Sequence, residues 1–473
     1  MDKSAYTAAG ETPARGAPAP APLWRREARA TLLLAGPLIL TNLAQIAIRT
    51  TDTLMMGRLG AADLAGGALG INYYFPLYLF GLGIAIAVAP MAAQALGARQ
   101  YKAARRSVRQ GLWVVTAMGL ICCLLIWQAA PVLRSFGQAE ANVNLAEAYL
   151  RAAVWGFLPS LWLLVLRSFA VALTRPRPIL IIAVLGAGLH VLIEYALMFG
   201  NFGLPALGVV GAGISNSLVQ WFMFLAMIGY TLYDRRFRRF ALLVRLWRAD
   251  WPRFFEVLRL GLPIGLTILA ESGLFAAAVY LMGALGTAQL AAHAIALQCI
   301  AVAFMVPLGI AQAVTVRVGR ARGAGDSAAV GRAGWVAVGL GAVVSLVPAA
   351  VFWFSPRAVI FLFLDLDAPA NLPVIAFAVT FLAVGAVFQL FDGVQVVAAG
   401  ALRGLKDTRM PMWIAFFSYW PVGLGAALLL GFALGGGGVG IWLGLALGLV
   451  VVAVLLVWRF HRRERFCPEL ATP

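Results

Sequence analysis

The stretch PLILTNLAQIAIRTTDTLMMGRLGAADLAGGA, residues 37–68, returns 226 positions later as PIGLTILAESGLFAAAVYLMGALGTAQLAAHA, residues 263–294. The alignment runs without a gap from 37–98 onto 263–324, where GLGIAIAV (81–88) meets PLGIAQAV (307–314). Glycines coincide at Gly57/Gly283, Gly60/Gly286, Gly83/Gly309 and Gly97/Gly323, and further on LTRPRP (173–178) resembles LKDTRMP (405–411). A chain that repeats itself in this way is built from two like units, and the character of one unit decides the fold of both.

That character is apolar. Of 473 residues, 62% are hydrophobic and only 12% charged, and the mean hydropathy is +0.89. No soluble domain hides so much apolar surface, so the chain reads as an all-α polytopic membrane protein. Runs of membrane length fall at about 31–56, 66–95, 110–131, 149–173, 178–200 and 208–232, then at 256–283, 290–316, 333–354, 373–401, 411–433 and 437–458. Each holds close to or above the ~20 residues a bilayer demands. Sustained period-two alternation is missing from several of them, so helices fit and a barrel does not. This predicts about twelve transmembrane helices in two six-helix lobes. Six is even, so both lobes enter from the same side and the repeat is parallel, a layout that places substrate between the lobes near the midplane.

The formal charge of +18 would suggest nucleic acid in a soluble protein. Here the cations cluster in alternate loops. Arg99, Lys102, Arg105, Arg106 and Arg109 follow the second span, Arg175 and Arg177 the fourth, and eight arginines from Arg235 to Arg259 the sixth. Arg317, Arg320, Arg322 and Arg332 follow the eighth, and Arg403, Lys406 and Arg409 the tenth, whereas the opposite loops hold Arg58, Arg134 and Arg357. Topology therefore accounts for the charge, no nucleic-acid partner is expected, and both termini are expected in the cytosol. The expected organisation is a disordered cytosolic tail at 1–30, an N-lobe at 31–232, a basic linker at 233–255, a C-lobe at 256–459 and a basic tail at 460–473. The linker reads as a plain topogenic connection, with an amphipathic surface helix as the alternative.

Ionisable groups inside the spans are few. Asn42, Gln45, Arg49 and Asp52 step by three or four and share one face of the first helix. His190 and Glu194 lie one turn apart in the fifth. Glu271 stands alone in the seventh, at the position where the first repeat has Gln45. Gln389, Asp392 and Gln395 form a face of the tenth. A charge at the bilayer centre costs roughly 2.5–3.5 kcal/mol or more, so such groups mark functional sites unless a partner neutralises them. Arg49 is placed to neutralise Asp52, and Glu194 with His190 reads either as a satisfied pair or as a functional one. His293 is expected to be a hydrogen-bonded packing residue and His461 part of the basic tail. There is no GxxxxGK[ST], no HExxH, no GxSxG and no Cys/His pair at metal spacing, so no ATPase, hydrolase, cofactor or metal site is expected. With four cysteines, three of them in apolar runs, no disulfide framework is expected.

TTDTLMMGRLG (50–60), AVAPMAAQALGARQ (87–100), LPIGLTILAESGLF (262–275) and FDGVQVVAAGALRGLKDTRMP (391–411) resemble the first, second, seventh and tenth helices of the multidrug and toxic compound extrusion family, in its NorM-like bacterial branch. The resemblance covers the chain after residue 30. It implies a bacterial inner-membrane antiporter, a monomer among membrane lipids, that expels cationic or lipophilic small molecules in exchange for H⁺ or Na⁺. By that likeness Glu271 and Asp392 match the C-lobe carboxylates tied to cation and drug binding, and Asp52 the N-lobe acidic residue. The family's helix-five asparagine pair falls on His190 and Glu194, a departure that weighs against an N-lobe Na⁺ site, as does Arg49. The residues alone support the same chemistry. A buried carboxylate holds either a proton or a cationic substrate, and such competition is what antiport needs. A lipid-linked oligosaccharide flippase is the rival reading; its anionic substrate would call for a cavity lined with Arg and Lys, and Arg49 is the interior cation that fits it.

Overall fold

The computed structural model describes residues 22–242 and 244–466. The expectation for residues 1–21 and for 467–473 lies outside these. Twelve helices among the described residues are long and apolar enough to cross a membrane, and the chain is a multi-pass membrane protein. They are α1 (Leu23–Leu59), α2 (Ala61–Gly97), α3 (Tyr101–Trp127), α4 (Glu140–Ala172), α5 (Arg177–Phe199) and α6 (Val209–Tyr233) in the N-lobe. The C-lobe holds α7 (Trp251–Leu285), α8 (Thr287–Gly323), α9 (Ser327–Phe354), α10 (Pro369–Gly404), α11 (Arg409–Ala433) and α12 (Gly437–His461). Several run beyond the apolar stretches read from sequence, because a helix continues through polar residues once it leaves hydrocarbon. Thus α1 begins at Leu23, inside the expected tail, and α7 at Trp251, inside the expected linker.

The linker is neither free nor a continuous amphipathic helix. After one turn at Arg235–Arg238 it folds back on the N-lobe, with Phe237 and Phe240 buried edge-on against Phe169. Trp113 donates to the carbonyl of Leu246 at 2.8 Å, and Gln110 to that of Arg248 at 3.2 Å. Arg106 pairs with Asp250 at 3.2 Å, and Arg253 donates to Ser107 at 2.9 Å. These bonds tie α3 to the entrance of α7.

The two lobes meet reciprocally, α1 against α8 and α2 against α7. The contacts obey the repeat residue by residue. Gly83 lies against Gly265, and Gly309 against Ile39; Gly309 stands 226 positions after Gly83, and Gly265 the same distance after Ile39. Gly97 abuts the carbonyl of Arg320, and Gly323 that of Gln94, again a pair exchanged by the same shift. This is the self-complementary geometry of a two-fold interface, made within one chain. It requires glycine at Gly83, Gly97, Gly309 and Gly323, because a Cβ on any of these four would run into the facing lobe. Helix bends follow the symmetry too. Pro37 in α1 and Pro263 in α7 each have a threonine one turn on, Thr41 and Thr267, whose hydroxyl donates to the proline carbonyl at 2.8 Å.

Polar bridges reinforce the interface on the half that carries the basic loops. Arg317 grips Glu27 with two nitrogens, at 2.7 and 2.5 Å, and Gln94 donates to the carbonyl of Gly404 at 2.8 Å. Arg167 of α4, 8% exposed, donates to Asn42 at 2.7 Å and across the lobes to Gln312 at 3.1 Å.

Gly97→Val and Gly323→Val should each destabilise the protein by roughly 1–3 kcal/mol, the usual cost of overpacking, seen as a lower thermal midpoint in detergent. Gly57→Ala, where a Cβ meets nothing within 4 Å, should leave the midpoint unchanged. Equal midpoints in all three would remove the close-contact argument.

Candidate functional site

The intramembrane ionisable residues assemble into two clusters, one per lobe, rather than into a single site. In the N-lobe, α1 brings Asp52 to α5, 138 positions away in sequence, and His190 Nε2 lies 2.6 Å from Asp52 Oδ1. Asp52 is therefore partnered by His190 and not by Arg49 as expected. The Arg49 guanidinium instead sits 4.6 Å over the ring of Phe75, a cation–π contact supplied by the protein itself. Glu194, one turn after His190, places Oε2 3.2 Å from the same Nε2. Both residues are fully buried, and neither Glu194 oxygen accepts a hydrogen bond of good geometry among the described residues.

The second imidazole nitrogen is held from α6. Ser215 Oγ lies 3.3 Å from His190 Nδ1 and donates at 3.4 Å to the His190 carbonyl. The imidazole is thus held at both nitrogens, Nδ1 beside Ser215 and Nε2 beside Asp52. Asp52 also forms part of the wall of an open cavity of about 110 Å³, together with Gln45, Arg49, Tyr74, Tyr149 and Arg167. Every residue lining it belongs to the N-lobe.

In the C-lobe, Gln395 joins two carboxylates through one amide. Its Nε2 donates to Glu271 at 3.1 Å and to Asp392 at 3.2 Å. Asp392 and Gln395 are each 4% exposed, while Glu271 is half-buried. Tyr419 donates to Gln395 Oε1 at 3.3 Å and so fixes which end of the amide faces the carboxylates. Tyr419 lies on a π-helical turn, Ser418–Leu424, that surrounds Pro421. Arg403, on the same helix as Asp392, acts on Glu271 through its charge, and Glu271 and Asp392 still repel each other when both are ionised, so the arrangement is suited to capturing a proton or a cation. Gln389 is not part of it; its buried amide has no hydrogen-bond partner among the described residues.

Tyr419, Ser215, Gln312 and Arg167 are not among the residues singled out in the sequence. A serine, tyrosine or glutamine in an apolar helix carries no signal of its own. Arg167 does, since it interrupts the apolar run WLLVLRSFA, and Arg49 is consequently not the sole interior arginine. His293 packs edge-on against Trp442, ring centroids 5.4 Å apart, but its nitrogens make no hydrogen bond among the described residues, contrary to expectation. Asp52, His190 and Glu194, distant from metal spacing in the sequence, each offer one ligand atom, and these atoms all lie within 4.8 Å of one another.

The MatE family model matches residues 37–196 and again 263–429, two segments starting 226 positions apart. A protein of Mesorhizobium japonicum described as a probable multidrug resistance protein NorM is 49% identical over 96% of this chain and 98% of its own length. Another of the same description from Brucella suis is 44% identical, over 93% and 94%. Among solved structures, a MATE protein in its straight conformation superposes with a TM-score of 0.85 at 20% identity, covering 94% of this chain and 97% of the other. The eukaryotic MATE transporter AtDTX14 gives 0.82 at 21%, covering 95% and 100%.

Gln395→Leu should cost roughly 1–3 kcal/mol, the penalty for stranding buried acceptors, and the cost should vanish in a Glu271→Gln/Asp392→Asn background. Thermal midpoints of the four proteins form the cycle, and additive losses would mean that Gln395 does not bridge the carboxylates.

Proposed function

The chain belongs to the MatE family, and on that premise we propose that it is a bacterial inner-membrane efflux antiporter that exports cationic or lipophilic small molecules in exchange for protons. The carboxylate pair Glu271 and Asp392 carries this reading. Held by one shared amide in a low-dielectric lobe, the pair gains when a positive charge arrives, whether a proton or the ammonium of a substrate, and cannot accommodate both. The names of the relatives, probable multidrug resistance proteins, support the substrate class.

The basic face is assigned to the cytosol by the positive-inside rule. The lobes touch through that half, which corresponds to a state closed toward the cytosol, and rocking about the two-fold glycine contacts would expose the clusters to each side in turn. One proton moving inward through ~100 mV supplies about 2.3 kcal/mol, a factor of several tens in substrate concentration at ~1.4 kcal/mol per decade.

His190 favours protons over Na⁺ as the coupling ion. An alkali cation prefers hard oxygen ligands, and here an imidazole nitrogen points at Asp52 instead. Arg49 and Arg167 are the observation favouring an anionic, flippase-type substrate. Arg167, however, is engaged by two amide oxygens and Arg49 by an aromatic face, which leaves the C-lobe carboxylates as the stronger attraction for a charged ligand.

Glu271→Gln and Asp392→Asn, expressed at wild-type level, should each lower efflux of a fluorescent cationic dye at least tenfold; wild-type rates in both would end the proposal. In proteoliposomes, an imposed ΔpH at constant Na⁺ should drive dye transport. Transport that follows a Na⁺ gradient at clamped pH and ignores ΔpH would reassign the coupling ion.

A further inference from the structure

We propose that Asp52, His190 and Glu194 form a binding site for a divalent transition-metal ion, for which Zn²⁺ is the natural probe. Three kinds of observation carry this beyond the transport reading. The first is the donor set. One imidazole nitrogen and two carboxylates suit zinc and its neighbours, whereas alkali and alkaline-earth ions select oxygen alone. Charge agrees as well, since a dication balances two carboxylates and a neutral imidazole inside a lobe where any net charge is expensive.

The second is geometry. Ligands at about 2.0–2.2 Å from a tetrahedral zinc lie roughly 3.3–3.6 Å from one another. His190 Nε2 and Glu194 Oε2 are already 3.2 Å apart. Nε2 and Asp52 Oδ1 are closer, at 2.6 Å, as expected of two atoms bridged by a proton; replacing that proton with a metal requires Asp52 to draw back by less than about 1 Å. It has room to do so, because its side chain borders the open N-lobe cavity. Of the three ligands Asp52 alone lines that cavity, so the ion would approach the set from its side.

The third is the unsatisfied chemistry around the set. Glu194 is fully buried, one turn from His190; its Oε1 makes no hydrogen bond among the described residues, and its Oε2 has only the 3.2 Å contact with Nε2. A buried carboxylate left so is costly, and a coordinated cation is one of the few partners that repays it. Ser215 stands at Nδ1, where metal-binding histidines have their outer contact, and Nε2 is the nitrogen that faces the two carboxylates. Because the metal would occupy the place of the bridging proton, zinc and a coupling proton would exclude each other on the transport reading above. Binding itself does not depend on that reading.

The test is a titration of the purified full-length protein in detergent, thiols blocked with N-ethylmaleimide, against Zn²⁺ in competition with a chromogenic chelator. One ion per chain is expected, and excess Na⁺ or Ca²⁺ should not displace it. His190→Asn should weaken binding at least tenfold, while His461→Asn should not alter it. If His190→Asn fails to give a monodisperse protein, Ser215→Ala takes its place, with a loss of roughly 10–100-fold expected from an outer contact. No stoichiometric zinc in the wild type, or unchanged affinity in the His190 or Ser215 variant, would overturn the assignment. Loss of dye efflux with zinc binding intact would instead count against the transport reading alone.

Discussion

Desolvation of charge inside the bilayer is the constraint from which the rest of this molecule follows. A bare carboxylate or guanidinium at membrane depth costs several kcal/mol, and each one here meets that cost differently. Asp52 shares a proton with His190, Glu271 and Asp392 share an amide, Arg49 covers a phenyl face, and Arg167 takes two amide oxygens. None of these interior groups is neutralised by a simple opposite-charge pair of its own helix. Conventional ion pairs occur instead near the basic loops, as between Arg317 and Glu27, where water can take part. The interior compensations are conditional, and they can be satisfied by a proton, a metal or a substrate cation as well as by protein.

The repeat separates scaffold from chemistry. Positions that shape the backbone agree between lobes: the Pro37/Thr41 and Pro263/Thr267 bends, and the exchange of Gly83–Gly265 for Ile39–Gly309. Positions that carry charge do not. Under the same shift Gln45 becomes Glu271, Arg49 becomes Phe275 and Asp52 becomes Ala278. A side chain at the interface must fit the facing lobe as well as its own, and the facing surfaces are alike. A polar group in a cavity answers only to its own lobe. The two clusters therefore sit on similar frames with unlike ligands.

Membrane class, helix number, the parallel repeat and the identity of most interior charges were legible in the residues themselves. Each reports a property that needs no tertiary knowledge: hydrocarbon demands about twenty apolar residues per crossing, basic loops alternate with topology, and a carboxylate in an apolar run stands out against its neighbours. His190 and Glu194 were recognisable as a pair because one helical turn separates them. Arg167 was equally visible and belongs with the interior charges.

Partnership was not legible. Whether Asp52 faces Arg49, three residues before it, or His190, 138 residues away, depends on how α1 and α5 are rotated about their axes. That rotation is set by the summed packing of many apolar contacts, none of which names the polar pair it brings together. Ser215 and Tyr419 are undistinguished in sequence for the same reason; a hydroxyl in an apolar helix acquires a role only when a neighbouring helix places an imidazole or an amide beside it. Composition and periodicity settled which groups the membrane must compensate. Only the tertiary structure decided what compensates them, because hydrogen bonds and coordination act over about 3 Å, and distances on that scale between helices are fixed by packing alone.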